Sequence, residues 1–154
     1  MLPIDNERVQ NLKTQYPNYT IKAPWKIGSW QTSRYIQLLI PGMDEDVHYE
    51  YLIDSNWEGR VELHFEGDWE SKYSLLIDGL MNNTQNCDEL TWSPWAYGYR
   101  CQHCRKINKV EELYQTLSDM MKKFDKLIHN LTSELPTFEE KSIDCNGTLP
   151  NVET

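Results

Sequence analysis

No run of ~18 apolar residues occurs anywhere in the chain, so nothing in it reads as a membrane-spanning helix. Positive charge is scarce. Fifteen Lys and Arg stand against 24 Asp and Glu, a formal net charge of −9 over 154 residues. A chain so short of cations is not expected to hold a phosphate backbone as its main task, which argues against direct nucleic-acid binding. The opening segment MLPIDNERVQNLK has no basic stretch followed by an apolar one, so no secretory leader is expected. The expected compartment is therefore a reducing cytoplasm, where disulfides are rare. The Asn-x-Thr triplets at Asn18, Asn82, Asn130 and Asn146 read as chance in that setting. G-x-G-x-x-G, a Walker loop, G-x-S-x-G and H-E-x-x-H are all missing, so the sequence carries none of those catalytic signatures.

What is present describes one folded unit. The length fits a single domain of about 100–200 residues. Six Trp and nine Tyr argue against wholesale disorder. Val9, Leu12 and Tyr16 recur at helical spacing over residues 5 to 16, and Pro17 ends that helix. The following stretch YPNYTIKAPWKIGSW reads as a loop, and SRYIQLLI, residues 33 to 40, as a strand. Two clear strands follow, VHYEYLI at 47 to 53 and RVELHFE at 60 to 66. Each alternates apolar and polar residues with period two, as a half-buried antiparallel strand does. Matching their apolar faces gives a hairpin with Ile53 opposite Val61, Tyr51 opposite Leu63 and Tyr49 opposite Phe65. A one-residue slip would turn each apolar set outward.

Residues 69 to 81 read as a helix capped by Asp68, with Trp69, Tyr73, Leu76, Ile77 and Leu80 on one stripe. Short strands are expected at Glu89 to Trp92 and Tyr97 to Cys104, separated by Ser93-Pro94. The closing helix has Asn108 as N-cap with Glu111 three residues on, a capping-box arrangement. Its apolar residues Val110, Leu113, Leu117, Met120, Phe124, Leu127 and Leu131 step alternately by three and four. That stripe is expected to pack on the domain's own sheet as a monomer, the alternative being a dimer through the 109–131 helix. The order α-β-β-β-α-β-β-α predicts an α+β fold: an antiparallel sheet of about five strands with helices on one face. Residues 1–132 form the expected domain and 133–154 a flexible polar tail.

The acidity is concentrated. From Asp44 to Glu89 there are thirteen acidic residues, opposed only by Arg60 and Lys72, while the rest of the chain is nearly balanced. The expected register puts His48, Glu50, Glu62, His64, Glu66 and Arg60 on the hairpin face away from the core. There Glu50 would meet His64, His48 would meet Glu66 and Asp54 would meet Arg60, each a favourable cross-strand pair. Three uses of this face compete. It can be a solvated sheet face. It can dock on a basic, nucleic-acid-binding protein, with Glu50, Asp54, Glu58, Glu62 and Glu66 steering the encounter and Trp57 at the hairpin tip as an aromatic anchor. It can hold a metal, since imidazole with carboxylate suits Zn, Fe or Mn, with His48 and His64 as the candidate ligands beside Glu50 and Glu66.

Cys101-Gln-His-Cys104 is half of a zinc-ribbon pattern, but Cys87 and Cys145 do not make a second pair. Cys101 and Cys104 are therefore expected to be reduced thiols, and no cofactor is expected.

The succession HYEYLIDSNWEGRVELHFEGD, KYSLLIDGL, LTWSPW, YRCQHCRKI and a long final helix resembles the domain of unknown function attached C-terminally to some restriction-type nucleases. The likeness spans about residues 30 to 131, and the nuclease part is absent from this chain. The resemblance implies a non-catalytic α+β module in a nucleic-acid defence setting and carries no active-site residues. With the charge pattern, it gives the expected function: a non-catalytic interaction protein whose acidic hairpin binds a basic surface, as a nucleic-acid-mimicking, phage-type inhibitor does. The alternatives are an accessory module of a restriction system and a metal-dependent enzyme using the His/Glu sheet face.

Overall fold

A computed structural model describes residues 6–23, 35–53 and 58–133. The elements run α1 (Asn6–Gln15), β1 (Thr20–Lys22), β2 (Tyr35–Leu39), β3 (Val47–Ile53), β4 (Gly59–Glu66), α2 (Trp69–Lys72), α3 (Ser74–Asn83), β5 (Leu90–Trp95), β6 (Gly98–His103) and α4 (Val110–Ser133). The fold is α+β. One six-stranded sheet has the order β1-β2-β3-β4-β6-β5, with every neighbouring pair antiparallel.

Three elements differ from the sequence expectation. Thr20–Lys22 lies in the stretch expected to be a loop, yet it pairs with β2 as an edge strand. Ser93 and Pro94 do not break a strand but lie inside β5. Because β5 is the opposite sheet edge, the missing Pro94 N–H can face away from β6. The helix expected over 69 to 81 is interrupted at Tyr73 (φ −128°, ψ 4°) and continues to Asn83, and Asp68 makes no side-chain cap. At the start of α4 it is Glu112, not Glu111, that accepts the Asn108 backbone N–H, at 3.3 Å.

Period-two alternation decides which sheet face becomes core. Ile36 and Leu38 of β2, Val47, Tyr49, Tyr51 and Ile53 of β3, and Val61, Leu63 and Phe65 of β4 all fall on one face and are buried. The α4 stripe covers them: Leu113, Leu117, Met120 and Phe124 have no exposed surface. Asp125 on α4 accepts hydrogen bonds from the hydroxyls of Tyr19 and Tyr49, which ties the helix to β3 and to the start of β1. No helix among the described residues is long and apolar enough to cross a membrane. Ser133, expected to begin the tail, is still the last residue of α4, and the rest of the expected tail, Asp54 and Trp57 lie outside the described residues.

The β3–β4 register keeps the apolar faces matched but is shifted by two residues from expectation. Tyr49 pairs with Leu63, Tyr51 with Val61 and Ile53 with Gly59. Gly59, expected in the loop, is a strand residue bonded on its other side to Ile107 through both backbone groups, each at 2.9 Å. A Cβ there would lie 2.6 Å from Cε2 of Tyr51, so this register requires glycine at 59.

Candidate metal centre

The two-residue shift changes what faces what on the other side of the hairpin. The expected partners are no longer directly opposite: Glu50 still meets His64 and His48 still meets Glu66, but diagonally across the two strands, while Asp54, the expected partner of Arg60, lies outside the described residues. His48 sits directly opposite His64, and Glu50 directly opposite Glu62. Like against like is the unfavourable way to pair two strands unless the groups share something between them. Nor is this a solvated face. His48, Glu50, Glu62 and His64 are all less than a tenth exposed, and Arg60 and Glu66, at the two ends of the strand, are partly open. Glu50 and Glu62 are thus removed from the exposed surface on which a docking role was expected. Glu58 lies at the start of β4, 3.1 Å from Lys106.

The side chains solve the like-against-like problem by diagonal contacts. His48 Nε2 lies 3.1 Å from Glu50 Oε2 and 3.4 Å from Glu66 Oε2. His64 Nδ1 lies 2.7 Å from the same Glu50 oxygen and 3.1 Å from the same Glu66 oxygen. Two imidazole nitrogens and two carboxylate oxygens therefore alternate around a four-membered ring of atoms, all within 4.8 Å of one another. An ion bonded at about 2.0–2.2 Å to four such donors sets neighbouring donors roughly 2.8–3.6 Å apart, whether square or tetrahedral. Three of the four ring edges fall within or at the edge of that span, and the fourth is about 0.1 Å short of it.

Each imidazole is oriented from behind. His48 Nδ1 donates to the Glu45 carbonyl oxygen at 2.8 Å. His64 Nε2 donates to Glu62 Oε1 at 2.8 Å. Glu62 is itself held by Gln102, whose Nε2 donates at 2.7 Å, and by Arg100 at 3.4 Å. A carbonyl or carboxylate on the far ring nitrogen is how a metal-binding histidine is usually fixed. With both far nitrogens committed as donors, Nε2 of His48 and Nδ1 of His64 carry either a proton or a metal.

The electrostatics of the proton-filled state follow from these contacts. Burial alone would lower both histidines. For His48 the hydrogen bonds to Glu50, Glu66 and the Glu45 carbonyl outweigh it and raise the imidazole to about 9. For His64 those to Glu50, Glu62 and Glu66 raise it to about 10. Burial would raise the carboxyls, but the two imidazoles outweigh it, lowering Glu50 and taking Glu66 to about 2. Without a metal, two imidazolium ions and Arg100 balance Glu50, Glu62 and Glu66.

A cavity of about 400 Å³ adjoins the cluster, and three of the four ring donors, Glu50, His64 and Glu66, line it. Its other walls include Tyr35 and Gln37 from β2, Trp95 and Tyr97 from the β5–β6 turn region, and Arg100 from β6. The Trp95 ring packs 4.6 Å from the His64 ring and 5.1 Å beneath the Arg100 guanidinium.

Among the described residues, the cysteines take no part. Cys101 points the other way into the hydrophobic core, where burial pushes its thiol well up. Cys104 is exposed and within 3.3 Å of Thr91 Oγ1. Cys87, Cys101 and Cys104 are free thiols, and the only metal-capable group among the described residues is the His/Glu ring.

His48, Glu50, His64 and Glu66 were legible as one face of a hairpin. Glu62 as an orienting group, and Gln102, Arg100 and Trp95 as its supports, were not, because β6 had no assigned place beside β4. The signal that joins them is H-x-E on one strand facing E-x-H-x-E on the next. No protein-family model, no curated protein and no solved structure matches the chain.

Proposed function

We propose that this protein is a metal-dependent enzyme. It binds one divalent transition ion through His48, Glu50, His64 and Glu66 and uses it as a Lewis acid on a small molecule held in the adjoining cavity. The observation that carries this is the alternating ring of two imidazole nitrogens and two carboxylate oxygens, with each imidazole locked from behind. A mixed nitrogen and oxygen donor set suits Zn, Fe(II) or Mn. A bound ion also accounts for like residues standing opposite one another in the ladder. Three donors lining a cavity leave the ion reachable from one side, as a catalytic metal requires and a purely structural one does not. Burial of Glu50 and Glu62 takes two of the five carboxylates expected to dock on a basic partner out of the exposed surface.

The test is metal titration of chelator-treated protein, followed by metal analysis after removal of free ion. The expected result is one Zn or Mn per chain, abolished in His64→Ala and in His48→Ala while the circular dichroism spectrum is kept. Wild-type protein that takes up no ion at micromolar concentration would refute the proposal.

A further inference from the structure

The cavity beside the ring holds a second set of groups whose chemistry the metal does not use. Apart from His64, which the metal would claim, Arg100 is the one cationic side chain among the described residues that line it, whereas Glu50 and Glu66 supply the acids. Its guanidinium is fixed twice, by stacking on Trp95 and by the contact between Nη1 and Glu62. Its Nε is nevertheless buried with no hydrogen-bond partner among the described residues. A buried guanidinium donor left without an acceptor is costly, and the planar fork of Arg is matched to carboxylate and phosphate oxygens.

Charge points the same way. A divalent ion with Glu50, Glu62 and Glu66 would leave the site negative by one, and it would repel an anion. Arg100 brings that balance to zero and places the compensating charge on the cavity wall. A divalent ion held by these four donors and able to take one more ligand from the cavity side would make, with the arginine fork on the cavity wall, a two-point site for an anionic oxygen. The remaining walls, Tyr35, Trp95 and Tyr97, offer aromatic surface to whatever carries that oxygen.

We infer that the substrate is a small oxyanion, a carboxylate or a phosphate carried on a planar body, which bridges the metal and Arg100 in this cavity. This rests on the metal centre proposed above. Gln37 across the cavity can hydrogen-bond the ligand but carries no charge, so the anion is placed by Arg100.

The experiment measures binding of inorganic phosphate, acetate and benzoate to zinc-loaded protein by calorimetry, with the metal content of each sample determined separately. Phosphate tighter than acetate identifies a phosphate site, and benzoate tighter than acetate by tenfold or more identifies a planar carboxylate. Arg100→Gln is expected to retain zinc and to weaken the preferred anion at least tenfold. Arg100→Lys, which keeps a cation near Glu62, provides the comparison should Arg100→Gln load poorly, and it too should bind the anion more weakly because it lacks the fork. Metal-free wild type should bind the anion at least tenfold more weakly than the loaded form. Zinc uptake with no anion binding at millimolar concentration, or with equal binding in the arginine variants, overturns this inference and leaves the metal centre standing. Absence of zinc uptake overturns both.

Discussion

His64 Nε2 sits 2.8 Å from Glu62 Oε1, while the other nitrogen of the same ring lies 2.7 Å from Glu50 Oε2. The two carboxylates flank one imidazole, but they do different things. Glu50 belongs to the ring of donors, and Glu62 stands behind it, gripped by Gln102 and Arg100. Glu62→Gln should therefore lower metal affinity by about 10–100-fold without abolishing it, the usual cost of losing an orienting partner. Glu50→Gln should be more severe. Equilibrium dialysis against a competing chelator ranks the two, and equal losses would put Glu62 among the ligands.

In the metal-free protein the same contacts make stability depend on pH. His48 and His64, raised to about 9 and about 10 in the fold, titrate near 6.5 when unfolded. The folded state then holds more protons across that interval, so their contribution is complete below about 6.5 and is lost as the pH rises through 9 to 10. Glu66, lowered to about 2, contributes fully above about 4.5 and progressively less as the pH falls toward 2. Thermal unfolding in the presence of a chelator should show greatest stability near pH 5 to 6 and a decline on both sides. Zinc should remove the alkaline decline, because it replaces the protons on the two ring nitrogens. A melting temperature unchanged from pH 6 to 9.5 without metal would contradict the imidazolium pair.

Gly98 is tested by adding a single methyl group. It pairs with Glu66, and a Cβ there would lie 2.1 Å from the Phe65 carbonyl oxygen and 2.8 Å from Glu66 Cα. Both are backbone atoms and cannot swing away. Gly98→Ala should force β6 from β4 at a cost of about 1–3 kcal/mol. It should also weaken metal binding, because the displaced residue is Glu66. Chemical denaturation together with the metal titration reads both effects.

Leu117 reports on the opposite face. It has no exposed surface and lies in the α4 stripe packed against the sheet. Leu117→Ala should cost ~2–5 kcal/mol in urea denaturation while leaving metal stoichiometry at one, since the ring residues alternate along β3 and β4 with those that face the core. A change in stoichiometry would mean that the two faces of the sheet are coupled.

The hairpin, its apolar face and the α4 stripe were readable because period-two and helical repeats report burial directly. β1 was missed because three residues carry too little periodicity to rise above the Pro- and Gly-rich stretch around them. The register was off by two because both alignments match the apolar faces equally well. What separates them is the space Tyr51 needs at Gly59 and the bridge from Gly59 to Ile107, and neither is written in the two strands. That shift of two residues is also what concealed the site. It sets histidine opposite histidine and glutamate opposite glutamate and turns the Glu50–His64 and His48–Glu66 contacts into diagonals, so that four donors converge on one point.

All four ring donors come from β3 and β4, two consecutive strands joined by one short connection. An ion at their centre would fasten the hairpin to itself, closing a loop of fewer than twenty residues, as a clasp closes a bracelet. The unit is thereby portable. Any antiparallel pair with H-x-E on one strand, E-x-H-x-E on the next, and the two histidines in register would carry the same clasp, whatever sheet surrounded it. Searching other hairpins for that pattern of alternate residues requires no overall likeness between the chains that contain them.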